Sequence, residues 1–285
     1  MADSASSPSL LLLLLPPSLP RQQRSSIGAS AALSLASALS GRPVDALAWT
    51  RASPHAKPRA EHLGATIASI NLSYDGCALL AGFAASPFAR LGVDVLSVAR
   101  AARVSAAEGD GGEGLLRRIG CDISTLSAYT SALPCPSAHV SPPILFALRW
   151  TLVEAVLKAR GEGLGVVGAA GAVFAGAMEI DEAREPTVWT SAVRVDGAVA
   201  LAEHASAVCR EAVAAAAGRA NFGETQAALS SPLVQPLPVT VLGHFAGPGW
   251  RATVCLAQIR DAIAGQGESA IESYVFTLAE AGTMR

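Results

Sequence analysis

The sequence predicts an α+β fold, and three local patterns carry that expectation. Tyr74-Asp75-Gly76 separates two apolar runs, Ile67–Ser73 and Cys77–Phe83. Aspartate and glycine both tolerate positive φ, so this reads as a tight β-hairpin. Ser141-Pro142-Pro143 opens an apolar helical stretch that stops at Gly161: a capping serine, proline in the first turn and a terminal glycine. Val239–Phe245 and Trp250–Ala257 face each other across Gly247-Pro248-Gly249 as a second hairpin.

Composition is that of a folded chain. The 285 residues are 51% apolar and 15% charged, with 21 basic and 23 acidic side chains and a net charge of −2. A disordered chain would be poorer in apolar residues and richer in net charge. Near-neutral charge, with no basic run interleaved with aromatics, gives no electrostatic case for a nucleic-acid partner. Aromatics make up only 5%, so alanine and other small side chains must fill the interior. Five cysteines, at 77, 121, 135, 209 and 255, form no CxxC pair and are odd in number. Neither a zinc site nor a disulfide framework is indicated, and reduced thiols are expected.

From the N-terminus, Leu10–Leu15 is a leucine run with no basic residues before it and Pro16-Pro17 after it. It is too short for a membrane helix and lacks a signal peptide's positive flank, so residues 1–20 are expected to be a disordered leader. A cytoplasmic address is expected; residues 18–40, rich in Ser and Ala around Arg21 and Arg24, resemble a transit peptide and make an organellar address the alternative. A helix of small residues is predicted over 24–40, stopped by Gly41-Arg42-Pro43, and then a short apolar piece over Val44–Trp49. The polar loop 51–61 precedes the first hairpin, and Leu91–Val98 follows it as a strand. An acidic Gly-rich loop (108–114) leads to helical stretches around 114–132 and then to the helix opened by Ser141. Strands broken by Glu179–Glu185 are predicted over 166–195, an Ala-rich helix over 198–218, and a polar, peripheral tail over 261–285. The expected domains are 21–90 and 91–260, which share a helix-then-hairpin grammar.

Three residues suit phosphate and metal chemistry. Asp94 lies within the apolar strand Val93–Leu96; alone it reads better as a solvated strand-end carboxylate, although a carboxylate on a rigid strand also suits a hard cation. Glu154 and Lys158 are four apart on one helix face, the spacing either of a surface ion pair or of a ligand or base beside a phosphate-binding cation. Gly163-Leu-Gly165-Val-Val-Gly168 fits GxGxxG but follows a helix, where a dinucleotide fingerprint must follow a strand, so a nicotinamide-dependent oxidoreductase ranks last. The histidines at 55, 62, 139, 204 and 244 show no metal-ligand spacing and read as loop or surface residues.

Four segments, in order, resemble the Sfp-type 4′-phosphopantetheinyl transferases. Asn71-Leu-Ser-Tyr-Asp-Gly resembles the family's (F)N(I/L/V)SHSG hairpin, and Gly92-Val-Asp-Val-Leu its G(I/V)D(I/V)E strand. Trp150-Thr-Leu-Val-Glu-Ala-Val-Leu-Lys-Ala-Arg-Gly-Glu-Gly-Leu resembles its W(S/T)xKE(A/S)xxKxxGxGL helix, and Trp250-Arg-Ala-Thr-Val-Cys-Leu-Ala its closing strand. Fainter echoes are Ala56-Lys57-Pro58 for a GKP loop and Arg24-Ser25-Ser-Ile-Gly28 for an R(T/S)xxG helix start.

This resemblance implies a pseudo-twofold pair of α+β subdomains with coenzyme A and magnesium in the cleft between them, working as a monomer away from membranes. It implies transfer of 4′-phosphopantetheine from coenzyme A to a serine of an acyl or peptidyl carrier protein, with release of 3′,5′-ADP. At matching positions, Asp94 and Glu154 would hold magnesium. Lys158 would contact phosphate and assist the leaving group, and Glu154, or a water it holds, would activate the carrier serine. Arg24, Ser25, Lys57, Ser73 and Tyr74 would hold the nucleotide and its phosphates. Tyr74 stands where the family has histidine, Leu96 where it often has a second acid, and Val153 where it has lysine, and the first subdomain looks shortened at its N-terminal end. The competing expectation is a degenerate homologue that binds carrier protein or coenzyme A without turnover.

Overall fold

The computed structural model describes residues 8–14, 28–29, 32–33, 36–37, 40–51, 58–76, 78–84, 90–131, 140–162, 179–180, 187–190, 239–260 and 271–282. These form a mixed α+β protein of two compact units, the first comprising 1–89 and 187–237, the second 90–186 and 238–285. Of the described residues, 187–190 group with the first unit and 271–282 with the second.

In the first unit, a six-stranded sheet runs β2-β3-β4-β5-β1-β8, with β1 Ser9–Leu14, β2 Ala48–Thr50, β3 Arg59–His62, β4 Ala65–Asp75, β5 Ala78–Ala84 and β8 Thr187–Thr190. The expected disordered leader is corrected here. The leucine run is a strand paired antiparallel to β5 and parallel to β8, with Leu10 and Leu12 buried at 1% exposure. A short continuous apolar run is what a strand enclosed within a sheet requires. The hairpin predicted at Asp75-Gly76 joins β4 to β5, shifted by one residue. Asp75 is the last paired residue, opposite Ala78, and Gly76 takes φ of 55° in the connection. Helical backbone occurs at 28, 29, 32, 33, 36, 37 and 40, with Ala32 and Ala36 buried and Gly41 at φ of 66° where the helix was expected to stop.

In the second unit, a five-stranded sheet runs β6-β11-β10-β9-β7, with β6 Arg90–Ser97, β7 Glu179–Ile180, β9 Val239–Gly247, β10 Trp250–Arg260 and β11 Ile271–Ala281. The predicted closing hairpin is β9–β10, turned at Pro248-Gly249 with Gly249 at φ of 75°. The peripheral tail is the second correction: β11 lies between β6 and β10, with Tyr274, Val275 and Phe276 wholly buried. Each such side chain contributes roughly 1.5–3 kcal/mol when removed from water, so this strand is a core element of its unit.

The predicted helix Pro142–Arg160 packs on β6 and β11. Ser141 holds the N-cap position in extended conformation with no capping hydrogen bond from its side chain, and Gly161, at φ of 80°, ends the helix with Glu162 N–H donating to Leu157 C=O at 2.9 Å. From Thr151 to Ala159 only Glu154 and Lys158 are not buried. A further helix, Val98–Glu108, fills the stretch between the predicted strand and the predicted loop, where no element was expected. The Ser97 hydroxyl caps it by accepting from Arg100 N–H at 3.2 Å. Helices Glu113–Arg118 and Ile123–Ser131 occupy the predicted helical region. Arg149 ties both to the long helix, donating to Glu113 Oε1 (3.3 Å), Ser127 Oγ (3.0 Å) and Thr130 Oγ1 (3.3 Å). Burial pushes the Arg149 pKa down against the pull of Glu113.

Among the described residues no helix is long and apolar enough to cross a membrane. Burial pushes the thiols of Cys121 and Cys255 up to about 12. Because the thiolate is the reactive form, iodoacetamide should modify these two only after urea unfolding, as peptide mass mapping would show. Modification of either in the native protein at neutral pH would contradict their burial. Of the strands predicted over 166–195, only 179–180 and 187–190 are described; the helix predicted over 198–218 and the Gly163–Gly168 segment lie outside the described residues.

Candidate functional site

Two elements of the second unit bring three of the predicted residues together. Asp94 stands mid-strand on β6, 4% exposed, with the core residues Val93 and Val95 on either side. Glu154 and Lys158 are one turn apart on the helix that packs across this strand. Lys158 Nζ donates to Asp94 Oδ1 at 2.5 Å, lies 3.3 Å from Glu154 Oε2, and donates to the Val93 carbonyl at 3.1 Å. The Glu154–Lys158 pair is therefore not an isolated surface contact, and Asp94 is not a solvated strand end.

Backbone contact allows this convergence. A Cβ at Gly92 would strike the carbonyl oxygen of Ala155 and the backbone nitrogen of Ala159, so only glycine lets the strand lie this close to the helix. Ala155 and Ala159 adjoin Glu154 and Lys158 in sequence, and Asp94 lies two residues beyond Gly92. The closest strand–helix approach therefore falls beside the polar cluster.

Electrostatically the cluster holds two carboxylates against one ammonium. Burial works against the charge on Lys158, but Asp94 and Glu154 outweigh it, and the lysine pKa stands above its ordinary value. The ammonium thus stays charged through the neutral range. Its side chain is 27% exposed against 6% for Asp94, so the cluster opens toward solvent on the lysine side.

Asp94 and Glu154 are hard oxygen donors with one cation already between them, and this fits the magnesium expected from the sequence. Magnesium takes one or two protein carboxylates and completes its shell with water and substrate phosphate. Among the described residues, no group of three or more His, Cys, Asp or Glu side chains converges.

The departures from the motif acquire a physical setting. Val153 is fully buried in the core of the second unit, alongside Leu152 and Val156, so a lysine there would be driven into an apolar interior. Its absence is therefore a packing feature in this chain, rather than a phosphate contact removed from an open site. Leu96 likewise belongs to that core.

Two threonines neighbour the cluster: Thr151, at the (S/T) position of the helix motif, and Thr277, which carried no sequence signal. Thr277 on β11 pairs directly opposite Asp94, and its hydroxyl meets that of Thr151 at 2.8 Å, both residues wholly buried. Thr151 is one helical turn before Glu154, so this hydrogen bond fixes the helix against the strand beside Asp94. Only the pairing of β11 with β6 reveals it.

Of the residues expected to hold nucleotide, Ser73 and Tyr74 are described, in the first unit. Adjacent on β4, they project to opposite faces. Ser73 shares its face with the buried Asn71 and Asp75. Tyr74 turns its ring toward the helical residue Gly28, where a Cβ would collide with the phenol oxygen. Two of the sequence echoes, the hairpin and the R(T/S)xxG helix start, thus meet in space. Arg24, Ser25 and Lys57 lie outside the described residues.

No protein-family model and no curated protein matches this chain.

Proposed function

We propose that this chain is a magnesium-dependent 4′-phosphopantetheinyl transferase of the Sfp type, with the pseudo-twofold α+β architecture of that family. The single observation carrying the reading is the meeting of Asp94, Glu154 and Lys158 around one ammonium, because these residues come from two separately matched motifs. The contact of Gly28 with Tyr74 supports the same alignment in the first unit.

In this reading the hydroxyl oxygen of a carrier-protein serine forms a bond to the phosphorus bearing pantetheine. The pyrophosphate P–O bond breaks, and 3′,5′-ADP leaves. Glu154, or a water it holds, takes the serine proton. Lys158 neutralises charge on the phosphate and supplies a proton toward the leaving oxygen. Asp94 and Glu154 would hold magnesium, which when bound offsets the charge of the pyrophosphate. Ser73 and Tyr74 are assigned to the nucleotide and its phosphates. Such a transfer asks mainly for positioning and charge neutralisation, which a rigid strand–helix contact supplies.

Tyr74 favours the second reading, a homologue that binds without turnover, since a phenol offers no positive charge near neutral pH where histidine can. Intact-mass analysis separates the two. An apo acyl carrier protein incubated with this protein, coenzyme A and magnesium should gain one phosphopantetheine. No gain across acyl and peptidyl carriers that a known transferase modifies in parallel would overturn the transferase reading, and coenzyme A binding in that case would establish the second.

A further inference from the structure

We propose that Lys158 is the built-in counter-ion of Asp94 and Glu154 and gives up that place only when a phosphate arrives to receive it, so that divalent metal and phosphate-bearing substrate load together. The inference rests on the metal site of the proposed function and specifies how that site is regulated.

The geometry carries it. An ammonium can donate to several acceptors at once, and those of Lys158 Nζ include Asp94 Oδ1, Glu154 Oε2 and the Val93 carbonyl oxygen. Two of the three are the carboxylates assigned to the metal. A divalent cation drawing on both carboxylates would face the ammonium at close range, and the cluster's charge would change from net negative to net positive. Metal alone must therefore draw two carboxylates away from the ammonium and leave two cations facing each other. An anionic phosphate removes that obstacle twice over, by accepting the ammonium and by offsetting the added charge.

The lysine can make the move. Its side chain is 27% exposed and that of Glu154 19%, so the ammonium has a solvent-facing route out, while Asp94, at 6%, stays fixed in the strand. The four-carbon stem is flexible enough to reorient without moving the helix.

Direct Mn2+ titration of the full chain, following free Mn2+ by electron paramagnetic resonance, tests this with and without coenzyme A. Wild-type protein should bind Mn2+ weakly alone and about tenfold or more tightly once coenzyme A is present, within the range typical of coupled sites. Lys158→Met should bind Mn2+ alone about tenfold more tightly than wild type and gain little from coenzyme A, because the competing ammonium is gone. Lys158→Gln serves as the second variant, with urea midpoints confirming that both fold. If either folded variant binds Mn2+ alone no better than wild type, the counter-ion role is overturned. Asp94→Asn keeps the two failures distinct. If it weakens Mn2+ binding while the lysine variants show no gain, the metal site stands and only this inference fails; if Mn2+ binding ignores Asp94, the metal site fails with it.

Discussion

If the proposed transferase reading holds, Asp94→Asn is expected to cut phosphopantetheinyl transfer severely while leaving the protein folded. The substitution keeps the shape of the side chain and an oxygen that can accept from Lys158, but takes away one of the two negative charges facing the substrate. Loss of a preorganised electrostatic contact at a phosphoryl centre lowers kcat/KM by about 10²–10³-fold, and a lost metal ligand should place this variant at or beyond the upper end. The structural cost is smaller. Lys158 retains Glu154 and the Val93 carbonyl, so the ammonium is not stranded, and about 1–3 kcal/mol is expected for the weakened charge-assisted hydrogen bond. Glu154→Gln should behave alike in activity. The measurements are initial rates of carrier modification by mass and urea unfolding midpoints for the same preparations. Undiminished transfer by a folded Asp94→Asn protein would refute the assignment of Asp94.

What the sequence disclosed, and what it withheld, follows the range of the forces involved. The long helix and both hairpins were legible because their signals are local: serine and proline at one end, glycine at the other, and turn residues that accept positive φ. The strands β1 and β11 were not legible, for opposite-looking but related reasons. The leucine run has no alternation to reveal a strand face, and its partners, β5 and β8, lie far along the chain. The segment Tyr274–Ala279 is buried on both faces, so it too lacks the period-two pattern, and the polar residues before it dominated the reading of the tail. The helix Val98–Glu108 continues the apolar run of β6, and only its Ser97 cap marked the change. At the site, residue types came from motif spacing, whereas their meeting depends on how closely β6 approaches the helix. Val153 shows the limit of motif reasoning: beside Glu154 in sequence, it faces the core, where no cation belongs. Thr277 shows the complement, a residue that joins the cluster through strand pairing alone.

Among the described glycines of the second unit, Gly92 is expected to show the largest effect of a single added methyl in Gly92→Ala. Backbone strain is not the cause, because Gly92 is not among the residues with positive φ. Space is the cause: the added carbon would occupy the position of the Ala155 carbonyl oxygen and the Ala159 nitrogen. A flexible side chain can swing aside, but a carbonyl inside a hydrogen-bonded helix cannot, so strand and helix must separate. Overpacking costs about 1–3 kcal/mol where side chains can adjust, and a clash with backbone should lie at or above the top of that range. The consequence reaches the cluster as well. Separating β6 from the helix moves Asp94 away from Glu154 and Lys158 together, so Mn2+ binding and carrier modification should fall along with the urea midpoint. Trimming Ala155 or Ala159 to glycine in the Gly92→Ala background should restore neither, because the obstructing atoms belong to the main chain. Full rescue by either trimmed variant would mean that side-chain methyls set the separation. A wild-type midpoint with wild-type Mn2+ binding in the single variant would remove Gly92 from the explanation of how this site is assembled.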